Sequence, residues 1–217
     1  MIRAVAFITL AFAATAAAGF WSSGWQTSSY PGAAFAQSSE AEAPAIAEMS
    51  LGNADAAVTV IEYASFTCPH CRSFHETTFD RLKADYIDTG KIHFIYREVY
   101  FDRFGLWAGM LARCGDSERY FGFVDALYET QSEWTDGEPA DIAENLRRLG
   151  RTAGLTDEDV NACLSDQAKA EAMVAAYQAN VDADGINSTP SFIINGESYS
   201  NMGYDEFSAI LDEALGD

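Results

Sequence analysis

The sequence predicts an α/β domain in which a strand–helix–strand start and a strand–strand–helix finish build one sheet, with a helical block inserted between them. Three observations carry this. Val58–Ala64 and residues 91–97 are short apolar runs rich in β-branched and aromatic side chains, and they flank a segment with three- and four-residue apolar spacing. From residue 105 to about 182 no convincing strand pattern occurs. Ser191–Ile194 and Glu197–Ser200 then flank Asn195-Gly196, a strong two-residue hairpin signal, and Tyr204–Leu215 reads as a closing helix.

The first strand, Val58–Ala64, is nearly continuous in apolar residues and so reads as buried on both faces, as in a parallel sheet. Glu62 interrupts it. Residues 69–88 read as a helix, with Cys71, Phe74, Thr78, Leu82 and Tyr86 along one stripe and Gly90 as the stop. Residues 91–97 give the next strand, and the strand–helix–strand unit makes the two strands parallel. The inserted block offers helices around 106–114, 119–131, 141–152, 157–164 and 168–181. Pro139 suits a first helical turn, and Thr156 with acidic Asp157, Glu158 and Asp159 suits a capped start. Trp107 and Trp134 read as packing residues of this block, and no internal repeat is evident.

Apolar residues make up 48% of the 217-residue chain and charged ones 21%, a globular composition. The net charge of -20 argues against nucleic acid as a partner, because phosphate contacts need a basic surface. Acidity of this kind is the ordinary dress of a soluble protein. Residues 1–36 read as an export signal: Arg3, then an alanine-rich apolar run, then Ala34-Phe35-Ala36 as a small-x-small cleavage site. A cut after Ala18 and an uncleaved anchor are the alternatives. Residues 37–50 read as a disordered lead-in, and 51–217 as the folded domain.

The exported part holds four cysteines, Cys68, Cys71, Cys114 and Cys163, and an even number in an oxidising compartment suggests disulfides. Cys68 leaves a buried strand and opens a helix, where free backbone N–H groups and the positive helix end favour a thiolate. Pro69 fits the first turn, and His70 adds a donor or a positive charge. Cys71 falls on the inward stripe with Phe74. One exposed sulfur and one sheltered sulfur within bonding reach suit thiol–disulfide exchange, in which one attacks and the other resolves.

Cys68-Pro69-His70-Cys71 after an apolar strand, with Thr189-Pro190 before another, resembles the thioredoxin superfamily. Within it the chain resembles the periplasmic DsbA-type thiol:disulfide oxidoreductases, which carry a helical insertion in the thioredoxin fold. The resemblance runs from about Leu51 to Leu215. It implies an oxidising enzyme with no cofactor beyond the Cys68–Cys71 disulfide. It implies that Pro190 is cis beside Cys68, and that the backbone of Thr189 pairs with an extended client. The partners it implies are reduced or unfolded exported proteins and a membrane quinone-linked reoxidase of DsbB type. DsbA itself commonly has valine where this chain has Thr189, and threonine there also occurs in isomerase-type relatives. Isomerases of that type carry a separate dimerisation domain, for which the lead-in is too short; a monomer in the periplasm is the expectation.

Glu62 lies where DsbA-like proteins carry a buried acid, and reads either as a proton relay for Cys71 or as a structural ion pair with Lys91 or Arg97. Cys114 and Cys163 read as a second disulfide clamping the helical block; closing a loop of about 50 residues would contribute about 4 kcal/mol by chain entropy. Two inert buried thiols are the alternative. A metal site is rejected by counting: zinc wants four ligands, and Cys114 and Cys163 do not form a second knuckle. His75, four residues after Cys71, reads as a helix-surface residue, and His93 as a packed polar side chain in its strand. A disulfide isomerase or reductase, and a non-catalytic peptide-binding module, are the rival functions.

Overall fold

A computed structural model describes residues 45–115 and 117–216. The export signal read over 1–36 lies outside the described residues, as does most of the lead-in. Five strands form one sheet: β1 (Met49–Gly52), β2 (Val58–Ala64), β3 (Ile92–Glu98), β4 (Ser191–Ile194) and β5 (Glu197–Ser200), in the order β1-β3-β2-β4-β5. β2 and β3 are parallel, and every other pairing is antiparallel. β1 corrects only the end of the lead-in read over 37–50: Met49 and Ser50 already pair with Tyr96 and Ile95. The signal was weak because a four-residue edge strand has little alternation to display.

The helix after β2 starts as α1 (Pro69–Phe74) and runs on without a break through a π-helical turn (His75–Phe79), α2 (Asp80–Leu82) and a second π-helical turn (Lys83–Ile87). Cys71, Phe74, Thr78, Leu82 and Tyr86 are all buried along it. The inserted block holds α3 (Arg103–Ala112), α4 (Tyr120–Glu129), α5 (Gln131–Trp134), α6 (Pro139–Thr152), α7 (Asp157–Ser165) and α8 (Gln167–Asp184). α3 begins earlier than its apolar spacing predicts because the Asp102 carboxylate caps it, accepting from the N–H groups of Phe104 (2.8 Å) and Gly105 (2.9 Å). Thr156 caps α7 through its hydroxyl, which accepts from Asp159 N–H at 3.1 Å. Asn195 and Gly196 take φ of 49° and 89°, the left-handed pair that a tight hairpin turn requires, and α9 (Tyr204–Leu215) follows.

Strand alternation gives the sheet two covered faces. Val60, Glu62, Phe94, Tyr96 and Phe192 face α1, α4 and α9, where Phe192 packs tilted on Phe74 at 4.8 Å between centroids and edge-to-face on Phe207 at 4.9 Å. Tyr63 and Ile193 face the other way, toward Tyr177 and Val181 of α8. The insertion therefore wraps the sheet. Two features tie it down. Cys114 and Cys163 are joined with an S–S distance of 2.04 Å. Arg113 grips Glu98, the last residue of β3, with two hydrogen bonds of 2.6 Å, while Tyr120 donates to the same carboxylate at 2.8 Å and Arg113 also donates to the carbonyl of Ala47 at 2.8 Å.

Candidate active site

The parallel strand β2 ends at Ala64, and the turn 65–67 delivers Cys68 to the N-cap position of α1. Pro69 occupies the first helical position, where a missing N–H costs nothing. Register places the other half of the site. Ser191 of β4 pairs with Tyr63, so the preceding residue, Pro190, falls beside the end of β2 and the start of the Cys68 loop. The Thr189–Pro190 peptide bond is cis, and the Thr189 carbonyl lies 3.5 Å from Cys68 Sγ.

Two side chains from the insertion hold this loop, and neither was expected from the sequence. Gln131 Nε2 donates to the carbonyls of Phe66 (2.8 Å) and Cys68 (3.1 Å). Thr67 Oγ1 donates to Asp102 at 2.7 Å, the carboxylate that also caps α3. The backbone around Cys68 is thus fixed from both sides.

The two thiols are free and stand in opposite electrostatic settings. Cys68 is partly exposed, and its pKa falls from the ordinary 9.0 to about 5. The main cause is a hydrogen bond from the Cys71 thiol; partial burial opposes it; the Thr189 side chain and the backbone N–H groups of Cys71 and His70 add to it. The single carbonyl acceptor from Thr189 favours the thiol form, but it stands alone against four donors, so the anion prevails. Thr189 Oγ1 is buried with no hydrogen-bond partner, which leaves its proton free to turn toward the sulfur. Cys71 is fully buried, and burial, the neighbouring Cys68 sulfur and the charge of Glu62 push its thiol far above the ordinary range. It stays protonated and serves as the donor that Cys68 needs.

His70 contributes through its backbone N–H, while its side chain is exposed. Glu62 is completely buried, but neither Lys91 nor Arg97 reaches it. In the β2–β3 register Glu62 pairs with Tyr96, so Arg97, one residue on, points to the opposite face, where it binds Glu48, Tyr63 and Asp184. Lys91 precedes β3 and sits over the ring of Tyr86. The partner of Glu62 is His75, whose Nε2 lies 3.2 Å from both carboxylate oxygens. This corrects the reading of His75 as a surface residue: it is 6% exposed, stacked on Tyr128 at 4.3 Å. The signal was present, since a residue four after inward Cys71 shares its face of the helix.

Thr189→Val tests the hydroxyl. Valine keeps the shape, removes one donor from the thiolate and leaves no buried polar atom unpaired. The Cys68 titration is expected to move upward from about 5 and the reduction potential downward, with the melting temperature unchanged or raised. Thiolate absorbance against pH and a thiol–disulfide titration check this; an unmoved titration rejects a role for the hydroxyl.

A thioredoxin family model matches residues 45–213. A Rickettsia bellii protein named provisionally as a protein-disulfide oxidoreductase is 37% identical over 169 residues, covering 77% of this chain. The chain spans 64% of the length of that relative. Disulfide bond formation protein D of Bacillus subtilis is 28% identical over 180 residues, covering 76% of each chain. Among solved structures, Wolbachia pipientis alpha-DsbA1 superposes with a TM-score of 0.74 at 30% identity, covering 80% of this chain and 93% of that one. With the family model running through the whole sheet and its insertion, and that likeness holding over nearly all of a DsbA, the chain belongs to the DsbA-like thiol:disulfide oxidoreductases of the thioredoxin superfamily.

Proposed function

We propose that the chain is an oxidase that passes the Cys68–Cys71 disulfide to exported proteins. The observation that carries the reading is the opposed pair of thiols, one held as an anion beside cis-Pro190 and one buried and protonated. A client thiolate attacks Cys68 Sγ; the bond to Cys71 breaks, and Cys71 takes the electron pair and then a proton. A second client thiolate attacks the client sulfur of the mixed disulfide, and Cys68 departs as a thiolate. The client loses two electrons and the enzyme gains them. A stabilised thiolate is a good leaving group and makes the reduced form the favoured one, so the disulfide is strongly oxidising.

The extended client would pair with the backbone at Thr189, with Phe101, 58% exposed and next to the Asp102 that holds Thr67, as an apolar contact. The proposal includes export through residues 1–36, work in the periplasm as a monomer, and reoxidation by a membrane quinone-linked partner of DsbB type. Thr189 favours a second reading as an isomerase or reductase, and redox poise separates the two. Equilibration with glutathione, followed by intact mass, should give a potential well above the about -270 mV of thioredoxin. A value near that of thioredoxin would reject the oxidase.

A further inference from the structure

The buried thiol raises a problem of protons. When Cys71 leaves it must gain a proton, and when it attacks a Cys68 mixed disulfide it must lose one, yet it is fully buried. Glu62 is near enough for its charge to act on Cys71, but it too is sealed from solvent. The only side chain that hydrogen-bonds Glu62 among the described residues is His75. The imidazole holds the carboxylate with Nε2, while Nδ1 is buried without a partner. The same ring lines a cavity of about 390 Å³ together with Glu76, Phe79, Asp80, Asp125, Tyr128 and Glu129. One ring thus bridges the sealed carboxylate and a space walled by four other carboxylates.

We propose that His75 is the proton relay between buried Glu62 and this cavity, so that Cys71 exchanges its proton with solvent through Glu62 and the imidazole, away from the client-facing side of the disulfide. The inference rests on the thiol-exchange reading of the site. In resolution of a mixed disulfide, the Cys71 proton goes to the Glu62 carboxylate as Cys71 Sγ forms its bond to Cys68 Sγ, and the partner sulfur leaves with the electron pair of the broken bond. In the tautomer that carries its proton on Nδ1, the ring accepts the Glu62 proton at Nε2 and releases the Nδ1 proton to the cavity; return to the Nε2–H tautomer restores the hydrogen bond to the carboxylate. Reduction of the disulfide runs the same route backward.

The groups facing the ring are consistent with this assignment. Glu62 comes from β2 and Tyr96 from β3, edge-on at 6.0 Å. Tyr128 of α4 stacks on it, with Asp125 and Glu129 from the same helix. Glu76, Asp80 and Cys71 lie on its own helical run. The Tyr96 and Tyr128 hydroxyls bond each other at 2.7 Å, and burial holds both far above the ordinary tyrosine range, so neither releases a proton to relay. Imidazole alone in this set exchanges protons readily near neutrality. The π-helical turn begins at His75 itself, an irregularity often found at working positions.

The test is the reaction of the reduced protein with dithionitrobenzoate, which releases chromophore in two phases. In the first, Cys68 attacks the reagent; in the second, Cys71 attacks Cys68 and expels the bound half. No other free thiol is present among the described residues. His75→Gln keeps a donor to Glu62 but accepts no proton. It should leave the first phase unchanged and slow the second by about 10²-fold at neutral pH. Its second phase should rise steadily with hydroxide, whereas the wild type, with the ring taking the proton, should depend less on hydroxide. A second phase of unchanged rate and pH profile overturns the relay. A first phase that vanishes in mild acid instead overturns the thiol-exchange reading beneath it. Should His75→Gln fail to fold, the wild-type second phase decides: a rate that levels off as pH rises supports the relay, and a featureless rise with hydroxide rejects it.

Discussion

Cys68→Ser is expected to abolish disulfide transfer by at least about 10³-fold, while the protein keeps its fold, because without Cys68 there is no disulfide for a client thiolate to attack. A serine oxygen at the same helix N-cap neither bonds to sulfur nor forms an anion at neutral pH. Cys71→Ser should behave differently. Cys68 still reacts, but without a resolving thiol the protein accumulates as a mixed disulfide with client or reagent. Cys71→Ala in addition removes the main donor that lowers the Cys68 pKa, so its Cys68 should titrate above about 5. Oxidative refolding of a reduced client measures the first variant, and intact mass the trapped adduct of the second. If both variants lose activity without a trapped adduct in the second, the division of labour between the two sulfurs is wrong.

The second large effect concerns stability. Arg113→Ala should destabilise the fold by about 3–5 kcal/mol, since it strands the buried Glu98 carboxylate. Arg113 closes α3 one residue before Cys114, and Glu98 closes β3, so the pair joins the insertion to the sheet. Tyr120 alone then satisfies the acid, and the carbonyl of Ala47 loses its donor. Replacing both partners together, Arg113→Met with Glu98→Leu, should restore most of the loss, because the penalty comes from the unpaired charge rather than from the absent bond. Urea unfolding midpoints of the three proteins test this. A loss below about 1 kcal/mol in the single variant would show that the pair is solvated.

Local chemistry was legible where a few adjacent residues decide the outcome. Asn195-Gly196 announced its hairpin because few other residues take two successive positive φ angles. Thr156 announced its helix by the cap it forms. Cys68 announced its place at a helix N-cap from the strand-to-helix turn alone. What escaped notice depended on which element packs against which. The Glu62 partner was sought in the next strand, but strand alternation sends Arg97 to the far face, and the answer lay on the helix at His75. Gln131 and Asp102 clamp the Cys68 loop across more than thirty residues of chain, a closeness that no spacing encodes. The continuous helix expected over 69–88 is present with its buried stripe, but its two π-helical turns escaped notice, because the hydrogen-bond pattern changes there while the three- and four-residue apolar spacing persists.

The central claim is that Cys68 is an anion in the reduced protein at neutral pH. Its folded pKa is depressed, so the thiolate adds stability to the reduced fold as pH rises from about 5 toward 9.0, and that stability is lost as pH falls through about 5. The most direct measurement is the ultraviolet absorbance of the thiolate in reduced protein, followed from acid to alkaline pH, with the oxidised protein as blank. A single midpoint at about 5 is expected. A midpoint in the range of an unperturbed cysteine, near about 8.5, would contradict it.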